Sequence, residues 1–194
     1  MIRRQVVVMV KQPRAGRVKS RLARDIGTVP AAWWQRHQLA RLLRTIGHPR
    51  WRVFLAVSPD NASLIRANSC LLPGFGQGRG DLGQRMARIF RRMPPGPVVI
   101  IGADIPGVAP AHLARAFAVL GRRDAVFGPA TDGGYWLAGF ARRRALPPRL
   151  FEGVRWSTGD ALGNTISTLA GQGFELTDTL RDVDSAADLQ ATIG

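Results

Sequence analysis

Cysteine and membrane-length apolar runs are the most evident absences from this sequence. Cys70 is the only cysteine, so the chain has no pair for a disulfide and none of the Cys and His spacings of a zinc site. The apolar run near Met1 ends at Lys11, which makes it too short for a membrane span, and it has no signal-cleavage pattern. We therefore expect a protein of the reducing cytoplasm.

Acidic residues are scarce in the first quarter of the chain. Residues 1–50 hold twelve Lys or Arg against one acid, Asp25, whereas residues 151–194 hold two Arg against seven acids. The formal net charge is +15. Clustered cations raise the local concentration of anions, which suits a nucleotide or a nucleic acid and is also typical of an unspecific basic surface. Tyrosine occurs once and no aromatic stripe accompanies these arginines, so a nucleic-acid-binding module is the least favoured interpretation.

Buried apolar runs alternate with amphipathic segments along the chain. The pattern predicts strands at Val6–Val10, Arg52–Val57, Pro97–Gly102, Ala125–Phe127, Tyr135–Phe140 and Phe174–Thr177. It predicts helices at Ala31–Ile46, Asn61–Ala67, Leu82–Arg92 and Pro110–Leu120, and another from Ser157 to near Gly171. This alternation indicates an α/β fold with a mainly parallel sheet, formed by one domain over residues 1–194. In such sheets the ligand lies beyond the carboxyl ends of the strands.

A basic loop, KQPRAGRVKSRL, follows the first predicted strand. Pro13 and Gly16 shape the loop, and cations crowd around it at Lys11, Arg14, Arg17, Lys19 and Arg21. Backbone N–H groups together with Lys and Arg side chains suit a di- or triphosphate. The pattern is not a P-loop, because G-x-x-x-x-G-K-[ST] is absent. A solvated basic turn is the alternative interpretation.

Two aspartates are candidate metal ligands. Asp104 stands at the tip of the strand that ends in GADIPG, and Mg²⁺ is a hard cation that takes one or two carboxylates plus phosphate oxygens. Asp104 would otherwise cap the loop into the next helix. Near the C-terminus, Asp184 in RDVDSAADL is a candidate second metal contact. Ser185 and Asp188 have capping-box spacing, so we assign Asp188 a structural role.

Two glycine-rich loops complete the candidate site. In QGRGDLGQR, Gln77 and Gly80 suit contact with a nucleotide base, while Asp81 either contacts the nucleotide or caps the following helix. In TDGGYW, Asp132 either faces an acceptor or belongs to an ordinary hairpin turn.

Three further segments have simpler interpretations. Ser157 or Thr158 is predicted to cap a helix, and the run Arg142 to Arg144 to form a solvated turn. The three histidines have no acid or cysteine at ligand spacing, and we assign them no catalytic role.

Six ordered blocks carry a family resemblance: KQPRAGRVKSRL, QGRGDLGQRM, GADIPG, GPATDGGYW, LFEGVRWST and RDVDSAADL. They resemble the bacterial DUF2064 family, also called radical-SAM/selenodomain-associated transferases, over nearly the whole chain. The resemblance implies a single-domain GT-A-like fold, a three-layer sandwich of the nucleotide-diphospho-sugar transferase type. It also implies that Lys19 and Arg21 lie on the phosphate loop, Gln77 and Gly80 on the base-reading loop, and Asp104 with Asp184 on Mg²⁺ or Mn²⁺.

The metal and phosphate motifs bear on the choice between nucleotidyl transfer and glycosyl transfer. Many GT-A glycosyltransferases use a D-x-D pair, whereas this strand end has Ala103 before a single Asp104, closer to the G-D-x-P of guanylyltransferases. The K-S-R segment suits a triphosphate whose pyrophosphate leaves. We therefore expect nucleotidyl transfer from a nucleoside triphosphate to a small acceptor, with Lys19, Arg21 and Asp132 as catalytic residues. Glycosyl transfer from a nucleotide-sugar is the alternative.

Overall fold

A seven-stranded sheet forms the centre of the protein. The computed structural model describes residues 4–62 and 72–191. The strand order is β3-β2-β1-β4-β6-β5-β7, and only β6 of the described strands runs antiparallel to its neighbours. The strands are β1 (Arg4–Lys11), β2 (Trp51–Ser58), β3 (Gly74–Gly76), β4 (Val98–Gly102), β5 (Ala125–Pro129), β6 (Tyr135–Phe140) and β7 (Phe174–Leu176). The predicted α/β class and mainly parallel sheet are confirmed.

Helices cover both faces of this sheet. They are α1 (Ser20–Ile26), α2 (Thr28–Thr45), α3 (Leu82–Arg92), α4 (Pro110–Val119), α5 (Ala161–Ser167) and α6 (Ala186–Ala191). No described helix is long and apolar enough to cross a bilayer. Most of the predicted helix Asn61–Ala67 lies outside the described residues.

Strand β1 shows how the sequence forms three layers. Successive side chains of a strand point to opposite faces, and here both faces are covered. Val6, Val8 and Val10 pack in the core that contains residues of α2 and α4. Val7 packs in the opposite core, against residues of α3, and Met9 borders it. The continuous apolar run is therefore buried from both sides, as a central parallel strand requires.

Strand order reverses at β1, and this reversal locates the crevice. After β1 the chain forms β2 on one side, and later β4 on the other. Ligand crevices in open α/β sheets lie at such a switch point, outside the carboxyl ends of the strands. Lys11 ends β1 and Gly102 ends β4 there. The predicted phosphate loop and Asp104 thus begin at the same edge.

The predicted helix from Ser157 to near Gly171 is shorter in the structure, and neither Ser157 nor Thr158 is its N-cap residue. Helix α5 begins at Ala161 with Asp160 at the N-cap position, so the predicted start at Ser157 is wrong. Ser157 instead has φ +60°, and the Thr158 hydroxyl donates to the Arg155 carbonyl within the preceding turn. These local bonds compete with helix formation.

Candidate functional site

Lys19 lies at the centre of the site. Its Nζ donates to Asp104 Oδ2 at 2.6 Å and to Asp184 Oδ1 at 2.9 Å, and only 6% of its side chain is exposed. Burial lowers the pKa of the Lys19 ammonium, but the charges and hydrogen bonds of the two carboxylates outweigh that effect and raise the pKa above its ordinary value. Lys19 is therefore a buried cation that joins the phosphate loop to both predicted metal ligands.

Helix α1 holds Lys19 in this position. Lys19 is the N-cap residue, with φ 49° and ψ 52° in the left-handed region, and Gly16 also has positive φ in the loop before it. Leu22 is fully buried against Ala31 and Val183, so a small core attaches α1 to α2 and to the segment that carries Asp184. The contact between Lys19 and Asp184 follows from this packing.

The remaining cations of the loop lie on the surface. Lys11, Arg14 and Arg17 are exposed. Arg21 is 61% exposed and donates from NH1 to Asp184 Oδ2 at 3.2 Å. Of the five cations in the phosphate loop, Lys19 is therefore buried and the other four are exposed.

Asp182 lies within range of the charges of three other aspartates and of Lys19. Burial raises the pKa of the Asp182 carboxyl to about 6, and the negative charges of Asp184, Asp132 and Asp104 also raise it. The Lys19 ammonium opposes the rise. Asp132, predicted as an acceptor contact, thus lies near the metal candidates. Asp182 was not assigned a role from the sequence, although the D-V-D spacing places alternate side chains of an extended segment on one side.

The donor set fits a hard divalent cation. Mg²⁺ is bound in proteins by one or two carboxylates plus substrate phosphates and waters, and Asp104 and Asp184 converge on one Nζ. Within the described residues, no group of three or more His, Cys, Asp or Glu is placed to hold a metal.

The loop after β3 is fixed by its own side chains. Gln77 is 4% exposed and its Nε2 donates to the carbonyls of Val10 and Ala56, which ties the loop to the ends of β1 and β2. These bonds favour a structural role for its amide hydrogens. Arg88 donates to the carbonyls of Gln77 and Arg79, a positioning contact that the sequence did not indicate.

Asp81 caps α3. Its carboxylate accepts from the backbone N of Gln84 at 2.7 Å, and the Gln84 side chain accepts from the backbone N of Asp81. This capping box is one of the two interpretations that the sequence left open. Gly80 has φ +110° just before it, a backbone conformation that favours glycine.

The TDGG turn is docked tightly against the loop before α5. Asp132 Oδ1 accepts from the backbone N of Gly134 at 2.9 Å, which closes the turn. Gly133 has φ +84°, and a Cβ there would overlap the backbone of Gly159. Both glycines of the motif thus serve the turn geometry that brings Asp132 toward the other carboxylates.

The run Arg142 to Arg144 is not a solvated turn, contrary to the sequence interpretation. Arg142 donates to the carbonyls of Met93, Pro94 and Gly96 beyond the end of α3. The next two arginines also make specific contacts. Arg143 donates to carbonyls at the end of α4, and Arg144 pairs with Asp124. The unsatisfied carbonyls at helix C-termini explain these contacts.

A family model matches the middle of the chain. The family, DUF2064, is described as an uncharacterized protein conserved in bacteria, and the match covers residues 41–158. The chain belongs to this family. Comparison with curated proteins gives no significant match.

Solved structures share the fold over nearly the full length. A "putative nucleotide-diphospho-sugar transferase" from Desulfovibrio desulfuricans G20 is 30% identical, with a TM-score of 0.89 over 98% of this chain and 86% of that one. Rv0371c from Mycobacterium tuberculosis H37Rv, solved with manganese, is 18% identical, with a TM-score of 0.56 over 98% and 97%. The inositol-1-phosphate CTP transferase from T. maritima is 14% identical, with a TM-score of 0.60 over 100% and 94%. The predicted GT-A-like fold is confirmed, and the D. desulfuricans and T. maritima structures are described as transferases.

Proposed function

We propose that this DUF2064 member is a metal-dependent nucleotidyltransferase that uses a nucleoside triphosphate and a small acceptor and releases pyrophosphate. The observation that carries the proposal is the convergence of Asp104 and Asp184 on buried Lys19, beside an exposed basic loop at the topological switch point. Opposite charges placed this way suit a ligand that combines a phosphate chain with a divalent cation.

The basic loop binds the phosphate chain in this proposal. Arg21 uses one nitrogen on Asp184, and its exposed guanidinium has further donors for phosphate oxygens. Lys11 and Arg17 add charge from the exposed loop, and Gly16 shapes its backbone. Positive charge fixed around the departing pyrophosphate stabilises the transition state.

Asp104 and Asp184 hold Mg²⁺ or Mn²⁺ in the proposal. The cation supplies Lewis-acid neutralisation of the phosphate oxygens when bound. Asp132 lies on the TDGG turn near these two carboxylates, and its exposed position suits contact with the acceptor. We assign it the task of orienting the acceptor or accepting its proton.

Two observations bear on the transferred group. The single Asp104 before Ile105 and Pro106, together with the cationic K-S-R segment, favours nucleotidyl transfer. The T. maritima relative, named as a CTP transferase, is consistent with this choice, but at its low identity it shows only the fold. The description of the D. desulfuricans relative favours glycosyl transfer from a nucleotide-sugar as the second candidate.

Calorimetric titration tests metal-dependent nucleotide binding, which both candidate functions require. We expect nucleoside triphosphates to bind with Mg²⁺ and to bind much more weakly after chelation, because Asp104, Asp132, Asp182 and Asp184 repel phosphate. Asp104→Asn should remove most of the metal dependence. The matched control is Glu175→Gln, which changes an exposed carboxylate on β7 that pairs with Arg122. Equal affinity with metal and with chelator would contradict the proposal.

A further inference from the structure

Lys19 occupies the position that a bridging cation requires. Three carboxylate oxygens of the proposed metal ligands already accept hydrogen bonds: Asp104 Oδ2 and Asp184 Oδ1 from Lys19, and Asp184 Oδ2 from Arg21. Mg²⁺ needs ligand oxygens at about 2.0–2.1 Å, closer than any hydrogen-bonded nitrogen stands. A cation that bridges Asp104 Oδ2 and Asp184 Oδ1 at that distance would overlap Nζ, so the ammonium and such a cation exclude each other.

We propose that Lys19 is an internal counter-ion that competes with the divalent cation and is transferred to the phosphates when metal and nucleotide bind together. The inference rests on the proposed function and extends it to the order of events within the site. Lys19 stabilises Asp104 and Asp184 in the absence of metal, because its ammonium pairs with both carboxylates. It leaves Asp104 and Asp184 when they take up the cation.

The side chain has the means to make this move. A lysine is a compact charge on a flexible four-carbon stem, unlike the planar fork of arginine. Lys19 lies where the phosphate loop passes into α1, so a phosphate chain bound by that loop offers a new partner to the stem. Nζ also lies 5.8 Å from the centre of the Trp34 ring, so Trp34 borders the starting position.

Competition implies that metal and phosphate bind cooperatively. Metal alone must displace Lys19 into solvent, where the ammonium gains no new partner from the protein. Metal with a phosphate chain gives the ammonium an anion in exchange for the carboxylates it loses. Each ligand should therefore raise the affinity for the other, and by linkage the factor is the same in both directions. Coupling through metal–phosphate bonds alone would persist in Lys19→Met, whereas the part of the coupling that comes from Lys19 would be lost.

The first test measures Mn²⁺ binding without nucleotide by electron paramagnetic resonance. Lys19→Met should bind Mn²⁺ about tenfold or more tightly than wild type, since a charge-assisted contact that opposes binding is removed. Arg24→Met is the matched control, because Arg24 is an exposed cation on the same helix α1, and it should leave the affinity unchanged. Equal or weaker binding by folded Lys19→Met overturns the proposal.

The second test needs no substitution, so it remains decisive if Lys19→Met does not fold. Lys11 and Lys19 are the only lysines of the chain, and ¹³Cε-lysine labelling therefore gives two side-chain signals in a ¹H–¹³C spectrum. Mg²⁺ with inorganic tripolyphosphate should shift the Lys19 signal, which nuclear Overhauser contacts with the Trp34 ring distinguish from that of Lys11. Calorimetry first establishes the Mg²⁺ and tripolyphosphate concentrations that saturate the protein. If the Lys19 signal does not shift at those concentrations, the proposal is overturned.

The same measurements separate this inference from the proposed function. Lys19→Met should bind Mn²⁺ more tightly yet bind Mg²⁺-tripolyphosphate more weakly, whereas loss of a merely structural lysine weakens both. If no nucleotide binds to wild type but Lys19→Met still gains Mn²⁺ affinity, the nucleotidyltransferase proposal fails and the competition stands. If nucleotide binds and turns over while Mn²⁺ affinity is unchanged in Lys19→Met, the competition fails alone.

Discussion

At the scale of single residues, burial separates cations of the same motif. Lys19 and Arg21 stand two positions apart, yet the Lys19 side chain is 6% exposed and that of Arg21 is 61% exposed. The buried cation meets two carboxylates, and the exposed one keeps donors for a ligand. Burying an unpaired charge raises the free energy of the folded state. The buried Lys19 ammonium is therefore stable only because Asp104 and Asp184 pair with it.

We expect Arg21→Ala to weaken nucleoside triphosphate binding in the presence of Mg²⁺ by roughly ten- to 150-fold, because it removes a charge-assisted contact of about 1.5–3 kcal/mol. Calorimetry measures the affinity. Arg36→Ala, which removes an exposed cation on α2, should change the affinity little. Similar losses from both substitutions would show a general basic surface instead of a phosphate site.

The sequence indicated most of these residues but not their pairing. Asp104 was selected because it follows an apolar strand, Asp184 because the nearby Asp188 was assigned to a helix cap, and Lys19 because it lies in a basic loop. Lys19 and Asp184 are 165 positions apart, and no local pattern reveals such a contact. The structural role of Gln77 could not be predicted either, because its hydrogen-bond partners are backbone carbonyls near the ends of β1 and β2.

At the scale of elements, local signals decided which helices were predictable. Helix α3 has the predicted bounds, because its capping box and apolar spacing agree. Helix α1 was not predicted, since it has seven residues, no side-chain cap and one buried residue, Leu22. Tertiary packing against Ala31 and Val183 stabilises it, and that packing cannot be seen in a short window of sequence.

The TDGG turn gives a prediction about the position of Asp132. Gly133→Ala should lower the free energy of unfolding by about 1–3 kcal/mol, because φ is +84° and the new Cβ would overlap the Gly159 backbone. Gly163→Ala, in α5 where a Cβ meets nothing within 4 Å, should be neutral or stabilising by up to about 1 kcal/mol. Urea denaturation measures both. Equal effects would contradict the tight docking of the turn.

Arg142 gives a second prediction at this scale. Arg142→Ala should lower the free energy of unfolding by about 1–2 kcal/mol, because the carbonyls of Met93 and Gly96 lose a donor, whereas that of Pro94 keeps the Gln5 side chain. The control is Arg149→Ala, which breaks an exposed pair with Glu152 and should cost less than about 1 kcal/mol. A small loss for Arg142→Ala in thermal or urea unfolding would restore the interpretation of a solvated turn.

At the scale of the whole molecule, the sheet and the charge distribution work together. The basic N-terminal segment supplies the loop after β1, and the acidic C-terminal segment supplies Asp182 and Asp184. Strand order brings the ends of β1 and β4 side by side, so the two oppositely charged parts meet at one crevice. The alternation of strands and helices made the fold class predictable from the sequence. The opposing charges made the site partly predictable, but their meeting point required the fold.

The most direct test of the central claim is the identity of the reaction products. The protein is incubated with Mg²⁺, each nucleoside triphosphate or nucleotide-sugar, and a pool of small metabolites, and the products are identified by mass spectrometry. Asp104→Asn serves as the inactive control. We predict pyrophosphate together with a nucleotidylated acceptor. A nucleoside diphosphate released from a nucleotide-sugar, together with a glycosylated acceptor, would contradict nucleotidyl transfer.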